Sequence, residues 1–209
     1  MATIAAPPLP NDQTMKLFFS PASPFVRKVL IAAHEFGLSG RIALATEAVS
    51  PVSANDAVAA ANPLGKIPAL VLDDGSVLYD SRVIVDYLAA LAGRAAPRDW
   101  QAETRIALAD GLMDASVLLR YETFLRPAEY RWTNWIEGQR AKIGRALDAL
   151  EANAPPADGS LPPPDFGVAA GLGYLDLRFG DTPWRAGRPK LTAFMASIAE
   201  RPSIKLTAA

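Results

Sequence analysis

The 209-residue sequence predicts an α+β domain followed by an all-α one, and three observations point there. Short apolar runs of strand length occur only before about residue 99. They alternate with helical spacings in the order β-α-β-α-β-β-α. Beyond that point only long helical periodicities remain, and strands followed by helices make an α+β arrangement with a helical half appended.

Residues 15–20 (MKLFFS) form the first apolar run and read as a buried strand. Ser23-Pro24 then opens a helix, because serine caps well and proline suits the first helical position. Val26, Val29, Leu30 and Ala33 follow at helical spacing, and Gly37 ends the element. Residues 41–46 (RIALAT) read as a second strand, parallel to the first through the crossover helix. A polar, alanine-rich stretch with a short helix from Asn55 leads to a third strand over 67–72. Asp73-Asp74-Gly75-Ser76 is turn chemistry, so residues 77–79 pair back as a hairpin. Asp80-Ser81 caps a helix through Val83, Ile84, Tyr87, Leu88 and Leu91 to Gly93.

The helical half begins with residues 100–126, whose apolar positions include Ile106, Leu108, Leu112, Met113, Val117 and Leu118. A second long helix spans 130–151, with Trp135, Ile136, Ile143, Leu147 and Leu150 aligned. A proline-rich loop precedes a helix starting near Asp165, and a final helix from Pro189 to about Arg201 stops before Pro202. The expected division is a disordered extension over 1–14, a first domain over 15–93 and a helical domain over 99–209.

Composition narrows the chemistry. Lys plus Arg number 21 against 22 for Asp plus Glu, a net charge of −1, which gives no pull toward nucleic acid or an anionic membrane surface. Cysteine is absent and His34 is the single histidine. A cysteine nucleophile, a thiolate zinc site and thiol-disulfide exchange are thereby excluded, and His34 sits inside a helical pattern as an ordinary helix residue. The first fourteen residues carry three prolines and no basic residue, unlike a secretory signal, and no apolar run approaches the ~20 residues of a membrane span. The expectation is a cytoplasmic protein without nucleic-acid or membrane partners.

Three strings carry chemistry. Ser20-Pro-Ala-Ser-Pro-Phe-Val-Arg-Lys28 lies where the first strand meets the first helix, so free helix N-terminal N–H groups face whatever binds there. Spacing alone makes Ser23 an N-cap. Asn62-Pro-Leu-Gly-Lys-Ile-Pro68 enters the third strand, where Pro68 reads as a strand-entry proline and Lys66 as a solvated loop lysine. Tyr79-Asp80-Ser81 closes the hairpin and starts a helix, by itself an ordinary N-cap.

In this order the three strings make the chain resemble the cytosolic glutathione transferase superfamily, in particular its serine-type bacterial members, from about residue 15 onward. The resemblance implies a thioredoxin-like first domain and glutathione as co-substrate, with no metal. It makes Ser23 the partner of the glutathione thiol, with Ser20 the alternative. Pro68 is then cis, Ile67 binds the cysteinyl backbone by its own N–H and C=O, and Lys66 approaches a carboxylate. Asp80 suits the γ-glutamyl ammonium and Ser81 its carboxylate. The helical domain lines a second-substrate pocket with Tyr121, Phe124 and Trp132, joined by Phe25. The implied activity is transfer of alkyl or aryl groups to glutathione, as in detoxification, by a homodimer. The alternative is a non-catalytic glutathione-binding or interaction protein on the same fold. Asp165 resembles the family's buried capping aspartate. Pro162 replaces the usual Ser/Thr three residues ahead, so Asp165 is expected to satisfy helix N–H groups unaided.

Overall fold

A computed structural model describes residues 14–181 and 183–209, and the chain divides into two units, one running to Pro97 and taking in Leu206–Ala209, the other Arg98–Lys205. The expected extension over 1–14 lies outside the described residues except for Thr14.

The first unit is built on a four-stranded sheet of order β2-β1-β3-β4, with β1 Met15–Phe19, β2 Ile42–Thr46, β3 Ala69–Val71 and β4 Val77–Leu78. Met15 and Leu17 are fully buried while Lys16 between them is exposed, the period-2 signature of a pleated strand. β1 pairs in parallel with β2 and antiparallel with β3, and β3 pairs antiparallel with β4. Parallel pairing of β1 and β2 requires a crossover, which α1 (Pro24–Glu35) supplies. Gly37, at φ +72°, closes α1. Its N–H donates to His34 C=O and that of Leu38 to Ala33 C=O, a pairing that needs the left-handed residue only glycine adopts freely. α2 (Asp56–Ala61) and α3 (Ser81–Leu91) complete the unit, with α1 and α3 packed together. The element order β-α-β-α-β-β-α is the thioredoxin-like one the sequence predicts. The last residues return to α1, where Arg27 Nε donates to Thr207 Oγ1 at 3.4 Å.

The helical unit comprises α4 (Trp100–Arg120), α5 (Thr133–Ala152), α6 (Phe166–Arg178), α7 (Pro189–Ile198) and α8 (Pro202–Lys205). α4 is its centre and packs against both α5 and α6. A Cβ on Gly171 would stand 3.3 Å from Met113 Cγ, so glycine there lets α6 approach α4 closely. The first long helix ends earlier than expected: after Arg120 the backbone widens into a π-helical stretch, Tyr121–Leu125. Residues 128–130 form a separate 3₁₀ turn, so α5 starts at Thr133 and not at 130. Pro202 does not end the helical region. Proline fits a first turn, and it begins α8.

Asp165 also departs from expectation. Its carboxylate makes no capping hydrogen bond to α6 and instead pairs with Arg105 Nη1 of α4 at 3.0 Å. Pro162 has no N–H to donate to the Asp165 carboxylate in a reciprocal cap, and Asp165 N–H itself donates to Pro162 C=O. The freed carboxylate takes the guanidinium across the packed helices.

Candidate active site

Strand register gathers the three strings. Phe18 pairs with Ala69, so the end of β1 lies beside the start of β3; Leu70 pairs with Leu78, so the end of β4 lies there too. Ser20–Ser23, Ile67-Pro68 and Asp80-Ser81 therefore emerge at one end of the sheet.

The first string forms a tight turn. Ser23 N–H donates to Ser20 C=O at 3.1 Å, and Ser23 C=O receives Arg27 N–H at 3.0 Å. Ser23 Oγ accepts Val26 N–H at 3.3 Å. A hydroxyl holds two acceptor lone pairs and one donor proton. Capping uses an acceptor and leaves the donor, so an N-cap serine remains able to donate to a thiolate. The Ser20 hydroxyl has no hydrogen-bond partner among the described residues. Pro24 has no N–H, and the Val26 and Arg27 amides are already bonded to Ser23, so among the described residues the Phe25 N–H and the α1 dipole supply the partial positive charge beside both serines.

The second string is scaffolded by a residue that sequence reasoning left out of the site. Asn62 is 2% exposed; its Nδ2 donates to Lys66 C=O at 2.8 Å and its Oδ1 accepts Leu64 N–H at 3.1 Å. Gly65, at φ +62°, lets the loop reverse between these bonds. The loop delivers a cis Ile67-Pro68 peptide bond, the isomer the resemblance implies. Ile67 is 9% exposed, whereas Lys66 is exposed with its ammonium in solvent. Asn62 stood in the string as quoted, and an asparagine closing a short helix ahead of Pro63-Leu64-Gly65 was the signal.

In the third string the two residues divide their tasks. Asp80 is the N-cap of α3, its Oδ1 accepting Arg82 N–H at 3.0 Å, and is otherwise exposed. Ser81 is buried at the first helical position, and its hydroxyl has no hydrogen-bond partner among the described residues. The Tyr79-Asp80 peptide bond is cis. Asp80 thus holds the helix start, leaving Ser81 Oγ and the first-turn amides for an anion.

Of the residues expected to meet a second substrate, Phe25 is half-buried on α1. Tyr121, Phe124 and Trp132 are brought to one place in the helical unit by Glu122. Its Oε2 accepts Arg126 Nε at 2.7 Å and its Oε1 accepts Trp132 N–H at 2.9 Å, ties that hold the π-helical stretch against the start of α5. The Trp132 amide and the Arg126 guanidinium hold the Glu122 carboxyl below its ordinary range, so it is ionised at neutral pH. Trp132 is 62% exposed, and Arg120 lies over Phe124 with its guanidinium carbon 3.6 Å from the ring centroid. Glu122 itself was not foreseen, since a glutamate in an amphipathic helix gives no sign of being buried. Among the described residues no cluster of His, Asp or Glu could hold a metal ion, and no helix is long and apolar enough to cross a membrane.

Comparison with known proteins bears on the family and the fold. Residues 22–91 match the family model described as glutathione S-transferase, N-terminal domain. The chain is 35% identical over 204 residues to YibF, an uncharacterized GST-like protein of Escherichia coli K12, covering 92% of this chain and 98% of that one. A crystal structure of a glutathione transferase family member from Pseudomonas fluorescens Pf-5, with bound glutathione, is 48% identical. It covers 93% of this chain and 98% of that chain at a TM-score of 0.87. A further Pseudomonas fluorescens Pf-5 family-member structure, with bound S-(propanoic acid)-glutathione, is 47% identical over the same shares, at a TM-score of 0.82.

Proposed function

We propose, given that the chain belongs to the glutathione S-transferase family, that it binds glutathione at the end of the sheet in its first unit and transfers it as a thiolate to a small electrophile. The observation that carries this reading is the Ser23 hydroxyl, which caps α1 as an acceptor and keeps its proton for a sulfur.

A thiol of pKa about 8.5 is only about 3% ionised at pH 7. The α1 N-terminus, through its dipole and the Phe25 N–H, and a donated Ser23 O–H both favour the thiolate over the thiol. Shifting the pKa by about two units takes about 2.7 kcal/mol, within reach of one charge-assisted hydrogen bond plus the helix dipole. The thiol proton passes to water. With an aryl halide the sulfur then forms the new carbon–sulfur bond while the carbon–halogen bond breaks and halide leaves.

The tripeptide is held by groups that do not change with the sulfur's protonation state. Ile67 N–H and C=O take the cysteinyl backbone, the Ser81 hydroxyl and α3 amides take the γ-glutamyl carboxylate, and Asp80 takes the ammonium. Lys66 takes a further carboxylate. The acceptor is received by the helical unit, through Tyr121 and Phe124. Pseudomonas fluorescens relatives with glutathione and with S-(propanoic acid)-glutathione bound support both halves of the reading.

The test is calorimetric titration with glutathione, followed by ultraviolet titration of the bound thiolate and conjugation of a generic aryl halide. Binding with a thiolate pKa well below 8.5 and measurable turnover is the expected result. Binding without any pKa change or turnover would leave a binder in place of a transferase. We further infer a cytoplasmic homodimer, which sedimentation of a monomer-mass species at micromolar concentration would exclude.

A further inference from the structure

The C-terminal ends of α4 and α6 carry two arginines that, among the described residues, no carboxylate neutralises. The two helices run side by side in the same direction, since Arg105 meets Asp165 and the Leu112–Met113 pair meets Gly171. Continuing that register brings Arg120 and Tyr121 level with Tyr174 and Arg178. Arg178 lies against the Tyr174 hydroxyl, and the charges of both arginines act on it. The carboxylates on these stretches are already taken. Glu122 is held by Arg126 and the Trp132 amide, and Asp176 by Arg185 and the Trp184 indole. Among the described residues neither Arg120 nor Arg178 has an ion-pair partner.

The surroundings are partly apolar. The Arg120 guanidinium carbon lies 3.6 Å from the Phe124 ring centroid, and the Tyr174 ring meets Phe179 edge-on at 6.4 Å. Arg178 Nε is buried without a hydrogen-bond partner among the described residues. Two uncompensated guanidinium groups held near one another repel, and an anion between them relieves that repulsion. Carboxylate is the planar group that matches guanidinium donors, and the flanking rings suit an aromatic frame attached to it.

We propose that Arg120 and Arg178 select acceptors carrying a carboxylate on an aromatic frame, with Phe124 and Tyr174 packing the ring. The proposal rests on the transferase reading above. Burial pushes the Tyr174 phenol up, with the Arg178 and Arg120 charges acting against it, and burial pushes Tyr121 up as well. Both phenols therefore remain neutral donors at physiological pH and do not compete with the acceptor's charge.

The experiment compares two aryl chlorides of one shape, 4-chloro-3-nitrobenzoate and 4-chloro-3-nitrobenzamide. Each kcat/KM is divided by its own uncatalysed rate, and both compounds are also titrated calorimetrically. The parent is expected to favour the benzoate by about ten- to a hundredfold, the worth of one charge-assisted contact. In the Arg120→Gln/Arg178→Gln double variant the ratio falls to about one, and Arg120→Lys/Arg178→Lys recovers part of it. A parent ratio of one, or a ratio unmoved in the Gln variant, overturns the proposal. Where neither compound turns over, the calorimetric benzoate-to-benzamide ratio decides in the same sense. Glutathione is titrated into the same preparations: loss of its binding removes the transferase reading and this proposal together, while intact glutathione binding without benzoate preference removes the proposal alone.

Discussion

Ser23 Oγ accepts the Val26 N–H at 3.3 Å, so one hydroxyl both starts α1 and retains a proton to give away. The two tasks are separable by substitution. Ser23→Ala removes cap and donor together and is expected to cost about 0.5–2 kcal/mol of stability, whereas Ser23→Gly costs only a few tenths. If the hydroxyl stabilises the thiolate, both variants raise the pKa of bound glutathione by about one to two units. Conjugation at pH 6.5 then falls by about ten- to a hundredfold in both, while the gap narrows at pH 9, where the thiol ionises unaided. A pH–rate profile of the two variants reads this directly. If the profile tracks stability, moving in Ser23→Ala but not in Ser23→Gly, the hydroxyl is a cap alone. If Ser20→Ala moves it instead, the role passes to Ser20.

Ser81 and Asp80 part in the same way. Asp80 carries the α3 cap, through Arg82 N–H, and Ser81 does not. Ser81→Ala should leave the melting temperature nearly unchanged and weaken glutathione by about ten- to a hundredfold, the loss of a contact worth about 1.5–3 kcal/mol. Asp80→Asn keeps an acceptor for the cap but removes the charge facing the ammonium, and should weaken glutathione with similarly small loss of stability. Calorimetry and thermal melts on the two variants give four numbers. Unchanged glutathione affinity in Ser81→Ala removes that residue from the site.

Asn62 acts through the loop it ties. Asn62→Ala strands Lys66 C=O and Leu64 N–H, a loss of about 1–3 kcal/mol where such groups are shielded from water. Because the same loop sets the Ile67 backbone, glutathione affinity should fall together with stability. Ile67→Val, which alters only the side chain, should leave glutathione affinity almost as it is. The reverse pattern, in which Ile67→Val weakens binding and Asn62→Ala does not, would mean that Ile67 binds by its side chain.

What the sequence discloses here is local. Caps at Ser23, Asn55 and Asp80, the Gly37 terminator and the Asp74-Gly75 turn all act within a few residues, and each appears where the spacing places it. Those signals place the three strings at element junctions, but their meeting at one sheet end rests on the long-range β1–β3 pairing, which no short-range signal carries. The helical half was legible only as helices. Arg105 finds Asp165 sixty residues away, and Arg120 finds Tyr174, because close packing at Gly171 sets how α6 lies on α4. That register depends on side-chain fit along the whole contact and leaves no short-range trace. The π-helical stretch is similar: Glu122 within it is buried, and its partners Arg126 and Trp132 lie beyond that stretch.

The Arg105–Asp165 pair makes a prediction about pH. The Asp165 side chain is 2% exposed, and burial pushes its carboxyl above the ordinary range, against the pull of Arg105 at 3.0 Å. A carboxyl with a raised folded-state pKa holds its proton longer in the folded than in the unfolded chain. Stability from this group is therefore fully present below the unfolded value of about 3.9 and declines as pH rises through the raised folded value. Asp165→Asn keeps a side-chain oxygen for Arg105 and has no proton to lose. Its stability relative to the parent should thus improve as pH climbs through that window, then stay level toward pH 7. Arg105→Met removes the opposing charge and leaves Asp165 buried alone. It should destabilise near neutral pH by the lower part of about 3–5 kcal/mol, since Arg105 is 30% exposed and partly screened, and less in acid, where Asp165 is neutral. Urea melts of the parent and both variants from pH 3 to pH 7 measure these differences. A parent–Asn difference that does not vary with pH would place the Asp165 pKa at its unfolded value and make the ion pair electrostatically neutral to folding.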